Sequence, residues 1–205
     1  MSIIGTLHSD LVFGRRVNVL AKWFETIVPK NARVLDVGCG DGAIAALLQS
    51  KRPDITISGV DVLARSQTHI PVEMFDGTNI PYKDSSFSVV MFSDVLHHTT
   101  DPNVILKEAH RVSSEYVLIK DHYRQGMIAG SRLRFMDWVG NARYGVSLPY
   151  NYWNPVQWET SWESIGLQQE KLCTNLDLYP KPADWIFGAQ LHFIALLKKC
   201  NPARH

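Results

Sequence analysis

The chain has 205 residues, of which 45% are hydrophobic and 20% are charged, a balance that excludes an intrinsically disordered protein. This length fits one domain with a substantial buried core. The formal net charge of +1 gives no global electrostatic signal for a nucleic-acid or membrane partner.

Targeting signals and cysteine pairs are not evident either. The opening residues MSIIGTLHSD lack the apolar core and cleavage site of a signal peptide, so we predict no signal peptide. No apolar run approaches the ~18 residues of a membrane span, so we predict no membrane-spanning helix. Cys39, Cys173 and Cys200 are far apart, which argues against a disulfide framework, a structural zinc or an iron–sulfur cluster. We therefore expect a cytoplasmic protein without an integral membrane segment.

The first half of the chain alternates helical and strand patterns. A helix is predicted over 10–28, because its apolar residues form one stripe and Pro29 follows. Helical patterns also cover AIAALLQSK and PNVILKEAHRV. The predicted strands are short and apolar throughout: Arg33–Val37, Ile55–Asp61, Val72–Phe75, Phe87–Ser93 and Glu115–Lys120. This alternation predicts a doubly wound α/β fold with a parallel sheet buried on both faces.

The pattern changes after the fifth strand. Residues 121–153 are rich in aromatic residues and have no clear period. A helix is then predicted from Pro155, with Asn154 as N-cap and Gly166 just past its end, followed by closing strands in LQQEKLCTNLDLY and LHFIALLKK. We expect one domain over 1–205: an N-terminal helix at 10–28, a core at 32–120, an insert at 121–153, and a closing helix and strands at 154–199.

The segment VLDVGCGDG contains the most informative turn. Gly38, Gly40 and Ala43 fit the G-x-G-x-x-A form of a dinucleotide fingerprint, so the glycines alone are ambiguous. Asp36 lies two residues before the first glycine, where its carboxylate would repel a pyrophosphate and attract an ammonium or a sulfonium. Both cations occur in S-adenosylmethionine, which this turn therefore favours. Asp41 is predicted to cap the following helix.

Polar groups also follow the next strands. Asp61 lies 21 residues after Gly40, about where an acidic residue accepts hydrogen bonds from ribose hydroxyls. Asp76 and Gly77 follow the third strand, where the carboxylate would accept from the adenine amine, and Ser93 ends the fourth strand. Parallel strands bring these ends to one edge of the sheet.

The sequence resembles a known family at these residues. VLDVGCGDG is similar to motif I of the Rossmann-like, class I S-adenosylmethionine-dependent methyltransferases. PYKDSSFSVVMFSDVLHHTTDPNVILKEAHRV resembles the ubiquinone/menaquinone C-methyltransferase-like branch, often called methyltransferase type 11, with Ser88 in place of a usual aspartate. The resemblance spans roughly 34–120. It implies a mostly parallel seven-stranded sheet of order 3-2-1-4-5-7-6, with the last strand antiparallel and a lid insert after strand 5.

The resemblance also assigns cofactor contacts. It implies that the methionine part lies against Asp36 and the Gly38-Cys39-Gly40 turn, and that Asp61 and Val62 hold the ribose. Asp76 and Gly77 would then hold the adenine, and Ser93 would contact the cofactor through its backbone. The implied cofactor is S-adenosyl-L-methionine, with S-adenosyl-L-homocysteine as product.

Candidate catalytic residues lie at the ends of the fourth and fifth strands. His97 and His98 follow the fourth strand, and Asp121-His122 follows Lys120. A histidine oriented by an aspartate is a reasonable base or acceptor-positioning pair if the acceptor must lose a proton. Because neighbours on a strand point to opposite faces, we expect only one of Asp121 and His122 to line the pocket.

The insert lies where this family builds its substrate cover. We predict substrate contacts from five of its residues: Arg134, Trp138, Tyr150, Tyr152 and Trp153. Aromatic side chains would suit a flat or lipophilic small-molecule acceptor, and arginines would meet a carboxylate or phosphate. Arg15 and Arg16, in the N-terminal helix, are either surface residues or ligands of such a carboxylate. A satellite core at the sheet edge is the competing interpretation of the insert.

Three alternatives remain open at this stage. A nicotinamide-dependent oxidoreductase fits the glycines, although Asp36 opposes it. A nucleic-acid methyltransferase is disfavoured because Ser93-Asp94-Val95-Leu96 replaces its N/D-P-P-Y/F element and no basic run is present. A non-catalytic S-adenosylmethionine-binding subunit would leave the insert unexplained. We predict no metal, although Asp121-His122 leaves a small opening for one.

Overall fold

The computed structural model describes residues 3–124, 151–179, 181 and 191–200, with side chains from residue 14 onward. The helices are α1 Ile3–Ile27, α2 Ala43–Lys51, α3 Pro102–Val112 and α4 Pro155–Ser164, with a short 3₁₀ turn at Leu96–His98. The strands are β1 Arg33–Val37, β2 Thr56–Asp61, β3 Val72–Met74, β4 Phe87–Ser93, β5 Ser113–His122, β6 Leu167–Cys173 and β7 His192–Lys199. None of the described helices is long and apolar enough to cross a membrane.

These strands form one seven-stranded sheet of order β3-β2-β1-β4-β5-β7-β6. All neighbours pair in parallel except β7, which is antiparallel to both β5 and β6. The predicted doubly wound fold, strand order and antiparallel last strand are therefore confirmed. Because β1 pairs with β2 on one side and β4 on the other, strand order reverses beside β1. Ligands of open α/β sheets bind at such a reversal.

Apolar side chains cover both faces of the sheet. On β5, Val117 and Ile119 pack into one cluster with residues of α3 and α4, whereas Leu118 packs into a second cluster with residues of α1 and α2. This alternation explains why the central strands are apolar at successive positions. Asp36, Asp61 and Ser93 lie at or near the carboxyl ends of β1, β2 and β4.

Several boundaries differ from the sequence predictions. The first helix begins at Ile3 rather than at residue 10, and β5 continues through Asp121 and His122 instead of ending at Lys120. The extension of β5 has a tertiary cause, since Asp121 and His122 pair with the first residues of β7. In the other direction, β6 ends at Cys173, although the predicted strand LQQEKLCTNLDLY extended to residue 179. Leu176 and Leu178 instead pack on the α1 side of the sheet.

The ends of α4 follow local rules. Asn154 accepts the backbone N–H of Gln157 at 3.0 Å, and the Gln157 side chain accepts the backbone N–H of Asn154 at 3.0 Å. This reciprocal capping box satisfies two donors at the helix start, and Gly166 has a φ of +80° after the helix end. The predicted N-cap and terminating glycine are confirmed. At α2 the cap residue is Gly42, and Asp41 contributes by accepting the N–H of Ala43 at 3.0 Å.

We expect Asn154→Ala to lower the free energy of unfolding by about 1 kcal/mol, because the helix start loses its side-chain acceptor. Urea denaturation followed by far-UV circular dichroism measures this change. Gln157→Ala is the matched variant and should cost less, since the Asn154 side chain still accepts its bond. An Asn154→Ala protein as stable as the wild type would contradict the role of the capping box.

Candidate active site

The glycine turn after β1 brings backbone close to an open space. Gly38, Gly40 and Gly42 have φ of +72°, +61° and +78°, a region that disfavours residues with a Cβ. A Cβ at Gly38 would lie 2.6 Å from Val95, and one at Gly42 would lie 2.5 Å from Ile70. A Cβ at Gly40 would meet no described atom within 4 Å. The outer glycines therefore allow tight packing, and Gly40 leaves room for a ligand.

Asp36 is a buried carboxylate beside this turn. It lies near the end of β1 and is only 3% exposed. Its Oδ1 atom is buried and has no hydrogen-bond partner among the described residues. Burial, followed by the neighbouring charge of Asp61, raises the pKa of Asp36 to about 7. A buried acceptor without a donor is costly, so this position fits a cationic ligand group.

Asp61 at the end of β2 organises the turn. Its Oδ2 accepts the N–H of Gly40 at 2.7 Å, and its Oδ1 accepts the N–H of Leu63 at 2.8 Å. Each carboxylate oxygen can accept a further bond, so these contacts do not exhaust the group. Val62 is 50% exposed, and a Cβ at Gly77 would lie 3.2 Å from its side chain. Gly77, with a φ of +84°, therefore packs beside the exposed Val62.

The other predicted cofactor residues differ in their surroundings. Asp76 is exposed, and its Oδ1 accepts the N–H groups of Thr78 and Asn79, both at 2.7 Å. These bonds lower the pKa of Asp76. The Ser93 hydroxyl is buried and has no partner in the described part of the chain. The Cys39 thiol instead covers Gly59 on β2, and burial raises its pKa, so this side chain packs on the sheet.

Asp121 is the centre of a buried hydrogen-bonded group. Its Oδ1 is 2.6 Å from Nδ1 of His97 and accepts the backbone N–H of His122 at 2.7 Å. Its Oδ2 accepts the backbone N–H of Leu96 at 3.0 Å. Burial alone would raise the pKa of Asp121, but the His97 and His122 side chains hold it below its usual value. Asp121 therefore ties the 3₁₀ turn after β4 to the end of β5.

A second carboxylate, Asp94, lies between side chains from three other elements. It accepts hydrogen bonds from Arg16 on α1 and from Lys120 on β5. Nζ of Lys120 is also 3.3 Å from Nδ1 of His192 at the start of β7, and Nδ1 of His122 is 3.5 Å from Asp94 Oδ1. Despite its burial, the neighbouring cations hold the pKa of Asp94 well below its usual value. Arg16, Asp94, Lys120, His122 and His192 are called the Asp94 cluster below.

The Asp94 cluster as a whole was not predicted from the sequence. The sequence feature that could have indicated the cluster is the position of Asp94 and Lys120, two polar residues at the ends of predicted strands. His192 gave none, because its place beside Lys120 depends on the antiparallel pairing of β7 with β5.

Two overlapping sets of side chains have the spacing of metal ligands: Asp94, His122 and His192, and His97, Asp121 and His122. In the first set the Lys120 ammonium already contacts Asp94 and His192, so a cation occupies the space between two of the ligands. In the second set Asp121 is bound to Nδ1 of His97. Both arrangements favour hydrogen bonding within the protein, and the absence of a metal stays a prediction.

The predicted substrate residues are partly described. Tyr152 is 6% exposed and stacks on His97 with 5.4 Å between ring centroids. Trp153 packs edge-on against Trp158 at 5.0 Å, as the competing interpretation of a satellite core would require. The backbone N–H of Asn151 donates to the carbonyl of His97 at 3.2 Å, which ties the end of the insert to the 3₁₀ turn. Arg134, Trp138 and Tyr150 lie outside the described residues.

His97 and His98 belong to the same aromatic group. Their rings lie 4.0 Å apart, and His97 meets the ring of His122 edge-on at 4.7 Å. His97 is 1% exposed. The four predicted catalytic residues are therefore brought together at the ends of β4 and β5.

Comparison with known proteins gives consistent matches. A family model described as "Methyltransferase domain" matches residues 12–172. The 27-O-demethylrifamycin SV methyltransferase of Amycolatopsis mediterranei is 28% identical over 39% of this chain and 34% of its own length. The demethylmenaquinone methyltransferase of Thermotoga maritima is 28% identical over 52% of this chain and 50% of its own length. The chain thus matches between a third and a half of the length of these two relatives.

Solved structures share the whole fold. A S-adenosylmethionine-dependent methyltransferase from Thermotoga maritima superposes with a TM-score of 0.70 at 18% identity, covering 96% of both chains. At 18% identity this structure shows a shared fold, whereas the match to the family model shows membership of the family. The family model matches residues 12–172, and the strand order and the glycine turn with its buried Asp36 are consistent with that match. The chain therefore belongs to the methyltransferase domain family.

Proposed function

We propose that the protein transfers the methyl group of S-adenosylmethionine to a small-molecule acceptor. The observation that carries this proposal is the buried Oδ1 atom of Asp36, which has no donor among the described residues beside an open glycine turn. An ammonium group supplies both the charge and the N–H donors that this oxygen lacks. A pyrophosphate, as in a nicotinamide cofactor, would add negative charge next to Asp36 and Asp61.

The remaining cofactor residues suit the other parts of the same molecule. Gly40 leaves space for close approach, and the Asp61 oxygens retain acceptor capacity for ribose hydroxyls. Asp76 and Gly77 lie after β3, beside the exposed Val62, where we assign the adenine. When bound, S-adenosylmethionine supplies an electrophilic methyl group on a sulfonium. The chain contributes positioning of the acceptor and exclusion of water, and such orientation lowers barriers by about 7–11 kcal/mol.

We assign the proton-accepting role to His122. Burial lowers the pKa of its imidazole, with Lys120 acting in the same direction, so the ring is uncharged at neutral pH. Its Nδ1 lies 3.4 Å from Asp121 and 3.5 Å from Asp94, so two carboxylates orient the ring. In this arrangement Asp121 is a positioning residue that also holds His97. His97 and His98 then shape the pocket wall with Tyr152.

The acceptor is proposed to be flat and small. Tyr152 and Trp153, at the end of the insert, place aromatic rings near His97 and Trp158. Arg134, Trp138 and Tyr150 would add further contacts from the insert itself.

Transfer of a labelled methyl group tests the proposed function. The purified protein alone is incubated with methyl-labelled S-adenosylmethionine and a small-metabolite extract, and labelled products are separated from the cofactor. We expect labelled small molecules. Binding of S-adenosylmethionine without any methyl transfer would support a non-catalytic subunit instead. A protein that binds NADH but does not bind S-adenosylhomocysteine would contradict the cofactor assignment.

We expect S-adenosylhomocysteine to bind about ten-fold more tightly at pH 8 than at pH 6. Asp36 has a raised pKa of about 7, so its negative charge is lost as pH falls through that value, and with it the attraction for the ammonium. Isothermal titration calorimetry at both pH values measures this change. Asp36→Asn should bind more weakly at pH 8 and show little pH dependence; an unchanged pH dependence in that variant would assign the effect to another group.

We expect Asp61→Ala to weaken binding of S-adenosylhomocysteine by about ten-fold or more. Hydrogen bonds to a charged acceptor contribute about 1.5–3 kcal/mol, and this variant also releases the N–H of Gly40. Asp41→Ala is the matched control from the same turn, because the Asp41 side chain accepts the N–H of Ala43 at the start of α2, and this variant should bind within about two-fold of the wild type. Equal affinities of the Asp61→Ala and wild-type proteins would remove Asp61 from the site.

We expect His122→Gln to lower the turnover number while leaving the affinity for S-adenosylhomocysteine unchanged. The turnover number of the wild type is measured with the fraction of the metabolite extract that accepts the labelled methyl group. It should fall at acidic pH as His122 becomes protonated. Asp121→Asn should shift that pH profile, because the ring loses an orienting carboxylate. Full turnover in both variants would show that no base is needed at His122 and that positioning alone drives the reaction.

A further inference from the structure

The Arg16 guanidinium lies beside Asp94 and makes one side-chain hydrogen bond to the described residues. Its Nη2 atom donates to Oδ2 of Asp94, and the side chain remains 28% exposed. A guanidinium has five N–H donors, and within the described residues this is the carboxylate contact that Arg16 makes. The remaining edge of the group can therefore bind a second anion in the bidentate manner typical of arginine.

Asp94 does not depend on Arg16 for its counter-charge. Lys120, whose side chain is 1% exposed, donates to the other oxygen of Asp94. Removing one partner of a buried pair is costly when the other charge is left alone, but here a second cation stays in place. Arg16 is thus the exchangeable member of the Asp94 cluster, and Lys120 is its fixed member.

Among the described residues, the carboxylate that Arg16 contacts is Asp94, and not Asp36 or Asp61. Asp94 connects Arg16 with the proposed base His122, because one of its oxygens accepts a hydrogen bond from Arg16 and the other lies 3.5 Å from Nδ1 of His122. An anion on Arg16 would therefore be held close to the proposed base.

We infer that Arg16 binds a carboxylate of the methyl acceptor, so that the acceptor is a small acid whose methylated group faces His122. This inference rests on the proposed function and adds the substrate class. The negative charge of such an acceptor also complements the cationic methyl donor. The cofactor's own carboxylate shares the same chemistry, and the experiment below separates the two sources.

The test uses ligands that differ in charge but have nearly the same shape. Benzoate and benzamide are each titrated into the 205-residue protein saturated with S-adenosylhomocysteine, because the side chains described around His122 include the stacked rings of His97 and Tyr152. We expect benzoate to bind at least about ten-fold more tightly than benzamide. Arg16→Gln should abolish this preference and Arg16→Lys should restore part of it. Arg15→Gln is the matched control, since the neighbouring Arg15 on α1 pairs with the exposed Asp177.

A second arm compares S-adenosylhomocysteine with 5′-methylthioadenosine, which lacks the amino-acid carboxylate. We expect Arg16→Gln to bind both nucleosides as the wild type does. A selective loss of S-adenosylhomocysteine affinity in this variant would assign Arg16 to the cofactor and overturn the inference. A wild type that does not distinguish benzoate from benzamide, or an Arg16→Gln protein that keeps the preference, would also overturn it. Failure of the wild type to bind S-adenosylhomocysteine would instead refute the proposed function.

Discussion

The site depends on the buried carboxylate of Asp36, whose Oδ1 atom accepts no hydrogen bond from the residues that the structure describes. Asp36 stands near the end of β1, which lies between β2 and β4 and has both faces covered by apolar residues. Burial and the nearby charge of Asp61 both oppose its ionisation, which is why its pKa rises to about 7. A folded protein tolerates such a group where a ligand completes it. The turn that follows is shaped to admit that ligand, since Gly40 faces open space while Gly38 and Gly42 are closed by neighbouring side chains.

The carboxyl edge of the sheet divides into two regions of different electrostatic character. Around β1 and β2, Asp36 and Asp61 create negative potential, which suits the cationic end of the methyl donor. Around β4 and β5, Asp94 and Asp121 are surrounded by arginine, lysine and histidine. We propose that the first region binds a cation and that the second holds the acceptor and takes its proton. Val95 connects them, because its side chain closes the space beside Gly38 just before the 3₁₀ turn.

The features predicted from sequence were those set by local patterns. The strand alternation, the glycine turn and the Asn154 cap follow from residue spacing and short-range hydrogen bonds, and each is confirmed. The Asp94 cluster was not predictable in this way, because its members come from α1, β5, β7 and the residue that follows β4, and they meet only after the sheet has formed. The same holds for the last residues of β5, which are a strand because β7 pairs with them. The packing of the Cys39 thiol on Gly59 is a further contact of this kind, because it forms between the glycine turn and β2.

The most direct test of the central claim is a count of the protons released when S-adenosylhomocysteine binds. Calorimetric titrations at pH 6 in buffers of different ionisation enthalpy give this number from the change in observed heat. If the ammonium binds ionised Asp36, the wild type releases close to one proton per ligand at this pH and Asp36→Asn releases none. Binding without proton release by the wild type would show that Asp36 is not the partner of the cofactor.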